Sequence, residues 1–324
     1  MDSESFGFTV EWFDAQADLM REYSLTVFKM AKGPLEAAMY DPKSKRAFLK
    51  RMAIPDLRLE DLHVGSTVTI YARHLKVKSY ADSHTSNYLD SSRTELALLV
   101  QPHSFNKLGQ VMSCFEAAGL TMSRVRLVNH NGPVVAIQAV GDDAQSKLDY
   151  GCCSVQQCVK QVSIEELAPY FEDQARYPCT AAFDHCTMFF IRPHALKAGT
   201  AGEIISAVME AGFEISAMQM LHLQRAEAAE LLDVYKGVVP YHKEMVDGTC
   251  IAPLLAMELR GDGSVVERLR QLCGPHDVDM ARHLRPESLR ARFGADNANN
   301  GVHSTDLEDD AELEVRYVFE MLAA

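Results

Sequence analysis

None of the eight cysteines falls in a CxxC pair, no apolar run approaches the length of a bilayer span, and Lys plus Arg number 32 against 45 Asp plus Glu. Each absence excludes something. Without paired ligand spacing a structural zinc site is not expected. Cys152 and Cys153 are adjacent, so they are poorly placed for an ordinary disulfide with each other. The thiols therefore read as buried and reduced, in an intracellular protein. The missing apolar run leaves no membrane-spanning segment to expect. The N-terminal MDSESFGFTVEW is acidic and polar, unlike a signal peptide. A formal net charge of −13 argues against a nucleic-acid binder, which needs a basic face, although a local basic pocket for a nucleotide is compatible with it. The only tryptophan, Trp12, reads as a core anchor.

What is present is a 324-residue chain with 47% apolar residues, enough for two or three packed domains. Residues 1–92 read as mostly β: FTVEWF, SLTVFKM, AAMYD, RAFLKRM, STVTIYAR and HLKVKSY are short apolar or alternating runs separated by turn residues. IPDLRLEDL is the single helix-like candidate there. Lys43, Lys45, Arg46, Lys50 and Arg51 cluster around one strand, either as a solvated edge or as a contact for an acidic partner. ADSHTSNYLDSSRT reads as a polar linker. Beyond it, ELALLV, GQVMSCFEAAGL, TMSRVRLV and NGPVVAIQAVGDD spell β-α-β-β, a frequent start to an αβ sandwich.

The chain then repeats itself. LALLVQPHSF matches TMFFIRPHAL, LGQVMSCFEAAGLTMSRVRL matches AGEIISAVMEAGFEISAMQM, and GPVVAIQAVGDD matches APLLAMELRGDG. The offset is 202 − 109 = 93 at Gly109 and Gly202, and 253 − 133 = 120 at Pro133 and Pro253, so the first copy lacks 120 − 93 = 27 residues between those points. In the second copy that stretch, LQRAEAAELLDVYKGVVPYHKEMV, reads as helices overhanging one side of a sheet.

Only the second copy leads into NNGVHSTD, a polar loop holding His303, with Arg282, Arg285, Arg290 and Arg292 upstream. A neutral imidazole is a nucleophile near neutral pH, and guanidinium groups hold phosphates, so the stretch suits phosphoryl transfer. By itself it reads more readily as a surface loop with a solvated histidine.

FFIRPHAL, GEIISAVMEAGFEISAMQM, APLLAMEL, LRPESLRARFG and NNGVHSTD together resemble the nucleoside diphosphate kinase family over roughly His185 to Ala324. The whole chain resembles the family's ciliary branch, with two kinase modules behind an N-terminal DM-ten domain, for which EWFD, YDPKSKRAFLKRM and LEDLHVGSTVTIYAR are the matching words. The resemblance implies an α+β chain: a small mostly-β DM-ten-like domain at 1–92, a degenerate, truncated ferredoxin-like αβ plait at 93–175, and a second plait at 176–324. It implies a ping-pong reaction in which a nucleoside triphosphate phosphorylates a histidine and a nucleoside diphosphate takes the group, with Mg²⁺ on the phosphates.

Carried over residue by residue, the resemblance makes His303 the phosphoryl acceptor and Glu314 its orienting partner. Asn300 becomes the sugar and phosphate contact, Arg270 and Arg290 phosphate holders, Tyr235 the tyrosine beside the histidine, and Tyr241 the aromatic that stacks on the base. Arg192 stands where the family has lysine, and His276 where it has a phosphate-contacting threonine, so slower turnover is expected. In the first copy Gln101 takes the lysine position. There YGCCSVQQCVKQV is read as the catalytic segment, with Tyr150 for the histidine and Gln161 for the glutamate, since 161 − 150 = 11 equals 314 − 303 = 11. SIEELAPYFED reads as its closing helix and QARYPCTAAFDH as the link onward.

The resemblance favours a structural protein of the ciliary axoneme, bound inside doublet microtubules, with kinase chemistry retained in the second module; the alternatives are a primarily catalytic kinase in cilium or cytoplasm and a slow nucleotide-binding scaffold. The resemblance implies nucleoside di- and triphosphates, tubulin and other axonemal proteins as partners. Asp306 and Asp309 to Glu312 read as helix-start charges and not as metal ligands.

Overall fold

In a computed structural model, Met1–Arg93 and Thr94–Ala324 form two compact units. The structure describes residues 4–323 apart from 15, 16, 18, 31, 56, 72 and 92, so the expected domain boundary at Ser92 and the first three residues of the N-terminal segment lie outside the described residues.

The first unit contains β1 (Glu4–Asp14), β2 (Leu19–Lys29), β3 (Glu36–Asp41), β4 (Arg46–Ala53), β5 (Thr67–Ile70), β6 (Arg73–Tyr80) and helix α1 (Ser83–Ser91). Its strands pair antiparallel in the order β4-β3-β2-β1-β6-β5. Period-two alternation sends Phe6, Phe8 and Val10 of β1 and Tyr23, Leu25 and Val27 of β2 into one core. Trp12 packs partly buried against that core, beside Tyr23 and Phe48. The basic cluster lies on and before the edge strand β4, where Arg51 pairs with Glu36. Two expectations need correction. IPDLRLEDL holds only a short 3-10 turn, Leu59–Asp61. The helix is instead α1, within the segment read as a linker. Its most buried group is a threonine: Thr85 is enclosed and its hydroxyl accepts from Gly7 N at 2.9 Å, while Leu89 packs partly buried on the core and Tyr88 on Phe6.

The second unit holds both repeats. The first comprises β7 (Arg93–Val100), α2 (Leu108–Ala117), β8 (Thr121–Asn129), β9 (Pro133–Asp142), α3 (Ala144–Ser146), β10 (Val159–Val162) and α4 (Ile164–Glu172). The second comprises β11 (Cys186–Ile191), α5 (Pro193–Lys197), α6 (Ala201–Glu210), β12 (Glu214–Leu221), α7 (Arg225–Leu231), α8 (His242–Cys250), β13 (Leu254–Arg260), α9 (Val265–Cys273), α10 (Val278–Leu284), α11 (Leu289–Phe293), β14 (Val302–Ser304) and α12 (Glu308–Arg316). One eight-stranded sheet, ordered β10-β7-β9-β8-β12-β13-β11-β14, runs through both. Each copy thus has its four strands in the order fourth, first, third, second, which is the ferredoxin-like plait.

The inner strands read as continuous apolar runs because both faces are covered. In β7, Leu96, Leu98 and Val100 face the core shared by the two copies, while Ala97 and Leu99 face a smaller cluster on the other side. In β11, Phe189 and Ile191 face the shared core, and Met188 and Phe190 a cluster roofed by α7, α8 and α12. The first copy lacks counterparts of α7 and α8, and there α4 covers the face with Leu167, Tyr170 and Phe171. Between β8 and β9 it has only a tight turn, with Asn131 and Gly132 at φ 57° and 124°.

The copies meet about an internal two-fold. Arg126 of β8 lies opposite Gln219 of β12, and 219 − 126 = 93, the offset of the paired glycines. Gly109 and Gly202 let α2 and α6 touch: a Cβ on Gly109 would land on Ser206 and one on Gly202 on Ser113, again 93 apart. Glu116 reaches across and accepts from Ala201 N and Gly202 N at 2.9 and 3.0 Å, which caps α6. The link between copies lies along the sheet. Arg126 donates to the carbonyls of Tyr170, Phe171 and Tyr177, and the buried Glu258 carboxylate accepts from Ala182 N, Phe183 N and the Ser216 hydroxyl.

Candidate active site

β14 is three residues long, VHS, and all three are buried. It pairs antiparallel with β11, so His303 sits opposite Phe190 with the rings stacked at 4.3 Å. The loop before it turns at Gly301, whose φ of 88° suits a residue without a side chain. That turn aims Gly301 N at His194 Nε2, 3.0 Å away, and its carbonyl at Arg192 N, 3.0 Å away.

His303 Nε2 lies 3.4 Å from Glu314 Oε2, on α12. The same carboxylate oxygen accepts from the Thr305 hydroxyl at 2.7 Å. A carboxylate held in this way accepts the Nε2–H of a neutral imidazole and leaves the Nδ1 lone pair free. Asp306 Oδ2 accepts from the Tyr235 hydroxyl at 2.6 Å, and Oδ1 lies 3.8 Å from Arg270 Nε. Tyr235 meets His303 edge-on at 6.3 Å. Burial, reinforced by Asp306, raises its phenol above the ordinary range.

Two guanidiniums are buried nearby, Arg192 at 2% exposure and Arg290 at 5%, with Asn300 at 1% and His303 at 2%. Arg192 Nη1 donates to Ala298 O at 2.6 Å, and Arg290 Nη1 to Gly274 O at 2.8 Å. The Nε of each has no hydrogen-bond partner, and neither does Asn300 Oδ1. Buried polar atoms are ordinarily satisfied, so these three leave two donors and one acceptor available to a polar ligand. Burial, helped by Arg290 and opposed by Tyr235, lowers Arg192 to about 10. Two mutually repelling cations form a local positive site within an acidic chain, which suits a phosphate.

His276, in the turn between α9 and α10, is pushed down to about 4 by burial and by Arg290 and Arg192. It is therefore neutral at physiological pH. Its Nδ1 is 3.2 Å from Tyr241 Oη, and its ring lies 5.2 Å from that of Tyr235. His194, likewise pushed down to about 4 by burial and Arg192, supports the Gly301 turn.

The structure thus gathers Arg192, Tyr235, Tyr241, Arg270, His276, Arg290, Asn300, His303 and Glu314 around one loop. Sequence reasoning placed His194 near the site without a role, assigned none to Phe190 or Thr305, and took Asp306 for a helix-start charge when its carboxylate accepts from Tyr235. The signal for Thr305 and Asp306 was their place two and three residues after His303.

The first copy requires a correction. Tyr150 does not occupy the histidine position. It lies in the helical segment after β9 and is 83% exposed. Strand pairing decides the register: His303 faces Phe190, and the counterpart of Phe190, Leu99, faces Lys160 of β10. Lys160 thus stands where His303 stands, and Gln161 where Ser304 stands. From the paired aspartates, 160 − 142 = 18 residues replace 303 − 262 = 41, so the first copy is shorter here by 41 − 18 = 23.

A ferredoxin-like plait carries a buried histidine backed by a carboxylate, with two buried arginines in the same part of the second copy. The chain belongs to the nucleoside diphosphate kinase family. The family's sequence pattern, described as nucleoside diphosphate kinase, matches residues 185–323. "Nucleoside diphosphate kinase homolog 7" of Rattus norvegicus is 34% identical over 99% of this chain and 94% of its own length. The nucleoside diphosphate kinase of Aquifex aeolicus is 31% identical over 41% of this chain and 92% of its own. A crystal structure of the Aquifex aeolicus enzyme covers 43% of this chain and 97% of that one, at 30% identity and a TM-score of 0.40.

Proposed function

We propose that the second copy forms a phosphohistidine at His303 and passes the γ-phosphoryl group of a nucleoside triphosphate to a nucleoside diphosphate. The observation that carries this is the pairing of His303 with Glu314 beside two buried guanidiniums whose Nε atoms lack partners. Nδ1 of His303 attacks the γ-phosphorus. The N–P bond forms as the bond to the β–γ bridging oxygen breaks, and its electron pair leaves with the diphosphate. In the return step a terminal oxygen of another nucleoside diphosphate attacks phosphorus, and the N–P electron pair goes back to Nδ1. The Nε2 proton stays against Glu314 throughout. Arg290 and Arg192 face the charge spread over the phosphoryl oxygens, and Arg270 is held at the edge by Asp306. Among the described residues no group of three His, Cys, Asp or Glu could cage a metal. Mg²⁺ would enter as part of the nucleotide substrate, its charge offsetting that of the phosphates. Arg192 spends one donor on Ala298 O and His276 offers no hydroxyl, which supports slow turnover. The test is purified protein incubated with γ-labelled ATP and Mg²⁺: acid-labile, alkali-stable label is expected and His303→Ala removes it. A folded, nucleotide-binding sample that takes no label refutes the enzyme.

A second reading gives the whole chain a structural role in the axoneme of cilia or flagella, as a tubulin-bound component inside doublet microtubules, with a DM-ten domain in front. The observation favouring it is a first copy that keeps its sheet and its pairing surface while carrying Lys160 and Gln101 at site positions. Kinase chemistry is then a retained property. Release of the protein from isolated axonemes by a gentle low-salt detergent wash would rule out a luminal position.

A further inference from the structure

The proposed nucleophile is enclosed. From outside to inside the rings run Tyr241, His276, Tyr235, His303 and Phe190, with successive centroid separations of 6.0, 5.2, 6.3 and 4.3 Å. Tyr241 and His276 are partly exposed, whereas Tyr235, His303, Arg192, Arg290 and Asn300 are buried. The outer pair come from separate segments. Tyr241 precedes α8, in the stretch the first copy lacks, and His276 lies in the α9–α10 turn. Tyr241 Oη and His276 Nδ1 are 3.2 Å apart, a hydrogen bond in either tautomer, and the rings are nearly parallel, at 19°. His276 therefore covers a face of the aromatic ring to which a nucleobase would otherwise have access. Its main chain is tied inward as well, since Asn300 Nδ2 donates to His276 O at 3.4 Å. Tyr235 is pinned by Asp306, whereas Tyr241 and the His276 imidazole are the partly exposed groups at the outer end, joined to each other by a hydrogen bond.

We infer that His276 and Tyr241 form a latch that governs entry to the His303 site, and that a nucleoside di- or triphosphate enters only when their hydrogen bond opens. The inference rests on the nucleotide reading above, but the latch has a readout of its own. Tyr241→Phe keeps the ring and removes the bond. His276→Thr removes the imidazole.

Two measurements separate the latch from the chemistry. The first needs no nucleotide: diethyl pyrocarbonate modification of His303 in the full chain, followed by peptide mass spectrometry. Both variants are expected to modify faster than the parent. The second is stopped-flow binding of fluorescently labelled ADP with Mg²⁺. Breaking one neutral hydrogen bond is expected to raise the association rate roughly two- to tenfold in Tyr241→Phe. Unchanged His303 reactivity in Tyr241→Phe overturns the latch, whatever the nucleotide does. Faster reactivity with no ADP binding in parent or variants leaves the latch standing and removes the nucleotide as its cargo.

Discussion

His276 and His194 make the second unit sensitive to mild acid. Both are pushed down to about 4 by burial and neighbouring guanidiniums, whereas an unfolded histidine titrates near 6.5. A depressed folded value means the stabilisation is complete above the unfolded value and is lost as pH falls from about 6.5 through about 4. Near pH 5 the unfolded state gains about 30-fold from protonation of one such histidine, against little gain near pH 7, so each costs about 2 kcal/mol over that interval. Together they remove about 4 kcal/mol, a large share of the ~5–15 kcal/mol that holds an ordinary domain. The assay is urea unfolding at about pH 7 and about pH 5, read on the transition of the second unit, with His276→Thr compared against the parent. His74 in the first unit is also lowered by burial, so the parent–variant difference carries the answer. The variant is expected to lose about 2 kcal/mol less than the parent between the two pH values. An equal loss in both refutes the claim that His276 is held neutral.

Glu314→Ala leaves the His303 tautomer unspecified, and labelling from γ-labelled ATP should slow by roughly a hundredfold or more. Gly202→Ala drives a methyl group into the Ser113 backbone, and the overpacked α2–α6 contact should cost about 1–3 kcal/mol, read as a lower midpoint in calorimetry. A variant melting with the parent would mean that the helices separate freely. Glu258→Gln weakens the clamp on Ala182 N and Phe183 N, so hydrogen exchange at those amides should accelerate while β13 stays protected.

The repeat was legible because duplication writes the same words twice, and the words Gly109 and Gly202 turned out to be the contact itself. The trimmed β8–β9 connection was legible too, since an offset that jumps from 93 to 120 has no other source. The register of Tyr150 was not. A spacing of 11 between two polar residues recurs by chance, whereas ladder partners such as Leu99 and Lys160 are set by hydrogen bonds that no single spacing reveals. Helix α1 escaped because its most buried side chain is Thr85 and only Leu89 among its apolar residues packs on the core cluster, too little for apolar periodicity to register. The residues carrying family words are gathered around one loop by the fold. The parts played by Thr305, His194 and Phe190 were not legible, since they arise from contacts across the fold, as when Met188 N and Glu314 converge on the Thr305 hydroxyl.

Because β8 and β12, and α2 and α6, pair within one chain, the partnership carries no dilution term. Two separate subunits come apart when scarce and trade places when mixed. Joined copies do neither, and their association is first order at any expression level. Each chain also contains one His303 per pair and never two. Phosphoryl occupancy, where it occurs, should therefore saturate at a single group per folded chain, and titration of label against protein mass can count it.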